Sequence, residues 1–217
     1  MDYFIIIFFV EFLLIGLFAS GFILTQRFGK LSNLNSLIFS YSFFIIFINY
    51  AYFYTKLSIN SIFWFSLIIF FLSIIYLIIF YRNIFIEKTI LILKISFVPI
   101  LIFFLLALAY GEQYYVFRGN YWDYFNYLST ALLVLKNNFN EILKVENNID
   151  IPLFIEIGTT NLHYRPSASL LLSFFLNIKV SNFFILGFAY KFFLIILILV
   201  SVFNFLSSLF KENNIYI

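Results

Sequence analysis

An all-α, polytopic membrane protein is the fold class this sequence predicts, and three observations predict it. The composition is 64% hydrophobic, with 23 charged residues among 217, whereas soluble domains carry roughly 45–50% apolar and about 25% charged residues. A surface so poor in charge has no means of keeping this much Phe, Ile and Leu from water. Five apolar runs, at about 3–25, 36–55, 61–81, 89–110 and 182–208, each reach the ~20 residues a helix needs to cross a bilayer. The breaks between the first four are short and polar, as expected of neighbouring antiparallel helices.

The first run follows Met1-Asp2 with neither a basic leader nor a small-residue cleavage site, so it reads as a retained helix. Gln26 to Asn33 then forms the first expected loop, Lys56 to Asn60 the second and Arg82 to Lys88 the third. The fourth run contains Pro99, which should kink it, and Lys94 close enough to its start to snorkel. Counting basic residues in the short loops favours an N-terminus outside the cytoplasm: Arg27, Lys30, Arg82, Lys88 and Lys211 fall on one side and Lys56 on the other. That orientation in the cytoplasmic (inner) membrane puts residues 111–181, with 11 of the 23 charges, on the extracytoplasmic face. The expected division is therefore four spans in 1–110, an extracytoplasmic segment in 111–181, and a fifth span with a short tail in 182–217.

Within the segment, apolar periodicity returns on a scale too short to span. One helix is expected over about 122–136 and a second over about 166–178, opening at Pro166, the favoured first helical position. Both read as interfacial helices, the second as interfacial or re-entrant. Between them, Lys144 to Asp150 reads as a polar linker and Leu153 to Ile157 as strand-like, closed by Gly158-Thr-Thr.

Zero cysteines and one histidine exclude disulfides, Cys-based metal centres and thiol chemistry. Chemistry falls to carboxylates, Arg, Lys and Tyr. A net charge of +3, scattered along the chain, gives no footprint for nucleic acid. Two clusters stand out. The first, Glu112 to Tyr127, includes Arg118, Asp123, Asn126 and Tyr127; Asp123 opens a helix, where free N–H groups and the dipole keep a carboxylate ionised, and Asn126 and Tyr127 share its face. The alternative is an N-cap with an interfacial aromatic belt. The second is His163, Tyr164, Arg165, Pro166 and Ser167, where an Arg beside a helix N-terminus suits phosphate oxygens, whether of a substrate or of a lipid headgroup. No second ligand stands at metal spacing beside His163. Glu11 and Lys191 lie at matching depths in their spans, so an ion pair between them is the economical expectation, with a proton or ion site as the alternative.

The stretch Arg118-Gly-Asn-Tyr-Trp-Asp123-Tyr-Phe-Asn-Tyr127, followed by Tyr164-Arg165-Pro166-Ser-Ala-Ser-Leu-Leu, resembles the first outer loop of GT-C-type membrane glycosyltransferases. The resemblance covers about residues 111–181. It implies a helical bundle that transfers a sugar from a polyprenyl-phosphate donor in cell-envelope polysaccharide synthesis. Asp123 would act as base or positioner, Arg165 with Arg118 would hold the departing phosphate, and Glu112 and Glu156 would be the reserve acids. A divalent metal is left open. Four spans before the loop and five in all depart from that family's usual count: either the chain is an N-terminal portion of a longer protein, or the analogy fails. Two other readings stand beside it: a surface-polysaccharide polymerase or ligase using His163 and Arg165, and a non-catalytic transporter or complex subunit in which Glu11 and Lys191 are the functional pair.

Overall fold

The computed structural model describes residues 2–26, 35–110, 122–146, 158–159, 162, 166–178 and 183–212. Eight helices of eight residues or more are found there: α1 (Asp2–Thr25), α2 (Asn35–Phe53), α3 (Ile59–Phe80), α4 (Arg82–Tyr110), α5 (Trp122–Lys136), α6 (Phe139–Glu146), α7 (Pro166–Leu176) and α8 (Phe183–Glu212). The chain is all-α and a multi-pass membrane protein. Stretches of α1, α2, α3 and α8 are long and apolar enough to cross a bilayer. The expected fourth span falls in α4, which starts seven residues earlier than expected. Arg82 to Lys88, read from the sequence as a loop, is its first two turns, and the turn from α3 narrows to Tyr81. Helical bonds run up to this residue and away from it: Tyr81 N–H donates to the Leu77 carbonyl at 2.8 Å, and Phe85 N–H to the Tyr81 carbonyl at 2.9 Å. Arg, Glu and Lys are good helix formers, so charge at a span's end marks the water boundary rather than the end of the helix.

The helices divide between two compact units, with α2, α3 and α8 each contributing to both. Unit 1 is Met1–Ser42, Ile68–Ala109 and Lys191–Ile217. Its centre is α1, on which Leu14, Leu17, Phe18 and Ala19 are wholly enclosed. Packing there relies on close approach, because lipid removes the hydrophobic drive between helices and leaves van der Waals contact and hydrogen bonds. Gly21 makes room for the Ser36 carbonyl of α2, and Gly16 for the Phe70 ring of α3. Ser20 and Ser40 join α1 to α2 at 2.8 Å. Phe4 meets Phe104 and Phe22 meets Tyr81, so α4 runs antiparallel to α1. At the same end of α2, Asn204 of α8 donates to Asn35. Large apolar side chains such as Phe71, Leu72, Phe97 and Ile198 stay exposed, a surface that only lipid accommodates.

Unit 2 is Phe43–Leu67 and Tyr110–Tyr190. Helix α5 begins and ends where the sequence places it, and α7 opens at Pro166 and closes two residues early. The second helix is enclosed by the protein: every residue from Ser169 to Leu176 is buried. Its sequence explains this, since Ser-Leu-Leu-Leu-Ser-Phe-Phe-Leu has no polar face to offer water or headgroups. The Phe174 ring sits between Phe44 of α2 and Phe63 of α3, with centroids 5.2 and 4.9 Å away. Ser167 lies beside Asn49 and Phe174 beside Phe44, so α7 descends antiparallel to α2 and reaches the midpoint of that candidate span.

The α5 helix packs along α7, with Leu128, Ala131, Leu133 and Val134 buried. Gly158 and Thr159 are helical, and a side chain at Gly158 would press on Leu133 at 3.2 Å. The strand-like run and most of the linker lie outside the described residues, but Lys144 to Glu146 belong to α6. This helix is opened by a reciprocal capping box: Glu141 Oε2 accepts from Asn138 N–H at 2.8 Å, and Asn138 Oδ1 from Glu141 N–H at 3.0 Å. Phe139 then anchors α6 on Phe53, ring to ring at 4.9 Å.

One turn stores backbone strain. Lys56 follows the end of α2 with φ at 59°, the left-handed region that glycine occupies without cost. Lys56→Gly is expected to raise stability by about 0.5–1 kcal/mol. A thermal-unfolding comparison in detergent checks it, and a destabilised variant would mean the Lys56 side chain has a contact worth more than the strain.

Candidate functional site

The chemistry-bearing residues expected from the sequence map mostly to unit 2, and the structure describes them unequally. Glu112, Arg118, Glu156, His163 and Arg165 lie outside the described residues. Asp123 and Asn126 are in the first turns of α5; their side chains lie outside the described residues too. Tyr127, one residue further, is half-buried. An ionised carboxylate in the first helical turn gains from the dipole and from unpaired N–H groups.

Ser167, in the first turn of α7, is the best-defined member of the second cluster. Its Oγ accepts from Asn49 Nδ2 at 3.0 Å, and the same amide donates to the Ile45 carbonyl at 2.8 Å. Both N–H bonds of Asn49 are therefore spent, one on its own helix and one on the start of α7. Asn49 was not singled out from the sequence. Its signal was there, an amide inside an apolar run, which usually marks an interhelical bond. One turn further along α2, the buried Tyr52 hydroxyl donates to the Asn137 carbonyl at 3.2 Å, fixing the C-terminal end of α5. Two sequence-distant points, residues 137 and 167, are thus held by one face of α2. Asp123 begins the opposite end of α5, about 21 Å back from Asn137 along the helix axis at 1.5 Å per residue.

Along α7, the Ser169 and Ser173 hydroxyls are fully enclosed and find no hydrogen-bond partner among the described residues. They are four residues apart and share a face, as small residues do at a close helix crossing. Among the described residues, no group of three or more His, Cys, Asp or Glu side chains stands together as a metal site would.

In unit 1, the Glu11 carboxylate takes its hydrogen bond from Ser96 Oγ of α4, not from the Lys191 expected as its partner. Lys191, on α8, has an exposed side chain. Ser96 was not singled out from the sequence, because a lone Ser in an apolar run is common and gives no sign of which helix it faces.

Comparisons with protein-family models, curated proteins and solved structures found no match to this chain.

If Asn49 and Ser167 hold the head of α7, removing either side chain should loosen it. Asn49→Leu and Ser167→Ala are each expected to cost about 0.5–1.5 kcal/mol. The double variant should cost less than their sum. Full additivity in detergent unfolding would show that the two do not act as a pair.

Proposed function

We propose that the chain is an integral membrane glycosyltransferase, or the part of one, whose residues 111–181 act on a polyprenyl-phosphate sugar at the extracytoplasmic face. The observation that carries the reading is the form of unit 2. The helices following the motif at 118–127 do not trail as a linker; α5 and α7 pack on each other and α7 descends beside α2. A helix that enters the membrane beside a segment rich in polar residues suits a substrate with a lipid tail and a hydrophilic head.

In this reading Asp123 orients or deprotonates the acceptor hydroxyl, a service worth ~10²–10⁴-fold in rate. The oxygen then attacks the anomeric carbon, and the lipid phosphate leaves with the bonding pair. Arg165 precedes the first turn of α7, so its guanidinium and the free N–H groups there suit the departing phosphate. Glu112, Arg118, Asn126, Tyr127 and His163 fill supporting roles. Ser167 keeps its structural bond to Asn49. The observations give the polymerase and subunit readings no comparable support.

Two experiments test the reading. The first is topological: with residues 111–181 outside and the start of α4 inside, a membrane-impermeant thiol reagent should label Asn147→Cys and spare Asn83→Cys in intact cells. The reverse pattern overturns the orientation. The second separates roles at the phosphate site. Arg165→Lys keeps the charge but loses the two-pronged fork, so the apparent KM for a polyprenyl-phosphate sugar should rise about tenfold, a loss of ~1.4 kcal/mol, with folding unchanged. An unaltered KM removes Arg165 from donor binding.

A further inference from the structure

Unit 1 holds a buried carboxylate that its described surroundings satisfy only in part. Glu11 is 9% exposed, its Oε1 bonded to Ser96, and its Oε2 buried with no hydrogen-bond partner. An ionised carboxylate offers about four lone-pair sites, and one hydroxyl donor cannot satisfy them. In the middle of a bilayer-crossing helix, with no bulk water to make up the deficit, such a charge is costly.

The neighbouring groups point the same way. Ser96 Oγ is also 3.1 Å from the Leu93 carbonyl of its own helix. A hydroxyl has one proton, and here it faces two acceptor positions. Three residues on, Pro99 supplies no N–H to the Ile95 carbonyl, so the backbone of α4 gives up one helical bond beside Ser96. The other ionisable side chains described in this unit are Tyr41 on α2, Tyr76 on α3, Tyr81 in the turn before α4, Arg82, Glu87, Lys88 and Lys94 on α4, Lys191 on α8 and Tyr3 on α1. Lys88 is paired with Glu87 at 2.5 Å, and Tyr76, Lys94 and Lys191 have exposed side chains.

We propose that Glu11 is a proton-binding site inside the membrane, a neutral carboxylic acid that donates its O–H to Ser96 Oγ, which in turn donates to the Leu93 carbonyl. The bound proton removes the charge that Oε2 has no means of stabilising and supplies the donor that lets Ser96 serve its own helix. It also makes the α1–α4 contact conditional, since loss of the proton leaves a carboxylate at their junction with one donor. The site is independent of the transfer reaction proposed for unit 2.

The experiment is infrared spectroscopy of the full chain in lipid at neutral pH, with isotope-labelled glutamate. A protonated-carboxyl C=O band that shifts with the label and disappears in the near-isosteric Glu11→Gln is the expected result. Should Glu11→Gln fail to fold, the labelled wild-type protein still reports whether any glutamate is protonated, and absence of the band overturns the proposal. A hydrophobic carbodiimide gives a second readout. The acid adds across its C=N bond, the carboxyl oxygen bonding to carbon and the proton passing to nitrogen. Peptide mapping should find the adduct on Glu11 and, in the Glu11→Gln protein, none at that position. Labelling of other acids while Glu11 stays unmodified overturns the proposal, as does a Glu11 found ionised against Lys191 or a bound cation.

Discussion

Gly21→Ala should prevent α1 and α2 from closing. A methyl group at this position would lie 1.9 Å from the Ser36 carbonyl oxygen and 2.7 Å from its carbon, and neither atom can swing aside as a side-chain tip would. The helices must separate, losing the Ser20–Ser40 bond and the contacts below it. The cost should reach or pass the upper end of the ~1–3 kcal/mol typical of overpacking. Ser20→Ala is the control, removing the bond without adding volume, for about 0.5–1.5 kcal/mol. Unfolding midpoints in detergent and monodisperse yield check both. Equal effects from the two changes would mean that the close approach at Gly21 is not a determinant of the fold.

Phe174→Ala should be the most damaging change in unit 2. The ring is wholly enclosed and touches aromatic rings on two other helices. Truncating a buried Phe costs about 3–5 kcal/mol through lost contacts and the cavity left behind. Phe174→Leu, which refills much of that volume, should cost markedly less. Limited proteolysis at residues 137–166 reads the effect: faster cutting is expected in Phe174→Ala, with Phe174→Leu close to wild type. Unchanged protection in Phe174→Ala would show that α7 is not what organises the unit.

The fold was legible wherever hydrophobic period and length decide the outcome. Helix α5 follows from i, i+3, i+4 spacing after Trp122, and α7 from Pro166 and an apolar run too short to span. Three features were missed for separate physical reasons. The first turns of α4 carry Arg82, Glu87 and Lys88, and polarity alone does not separate a helix leaving the bilayer from a loop. The α6 helix was hidden in a polar stretch, although Asn138 and Glu141 stand at capping-box spacing before Ile142. Burial of α7 is readable from its uniformly apolar sequence, but its shortness left an interfacial helix as one of two expectations beside a re-entrant one.

The candidate site was less legible than the fold, because tertiary partners leave little trace in a single chain. Asn49 and Tyr52 sit one turn apart on α2 and hold residues 167 and 137. Nothing in their local sequence names those targets. Glu11 shows the same limit. Depth along two spans suggested Lys191, while the helix that packs against it supplies Ser96. Pairing by depth ignores which way a residue faces around its helix.

In the proposed function residues 111–181 transfer a sugar, with Asp123 at the reacting centre. The most direct measurement is turnover of a polyprenyl-phosphate sugar by right-side-out and inverted membrane vesicles containing the full-length protein, wild type against Asp123→Asn. This substitution keeps size and most capping capacity, so a purely structural Asp123 predicts little change. Transfer is expected from the face that carries residues 111–181, with a folded Asp123→Asn protein whose turnover is down by about 10²-fold or more, the cost of removing a catalytic base. Normal turnover in Asp123→Asn, or no transfer by wild-type vesicles of either orientation, would contradict it.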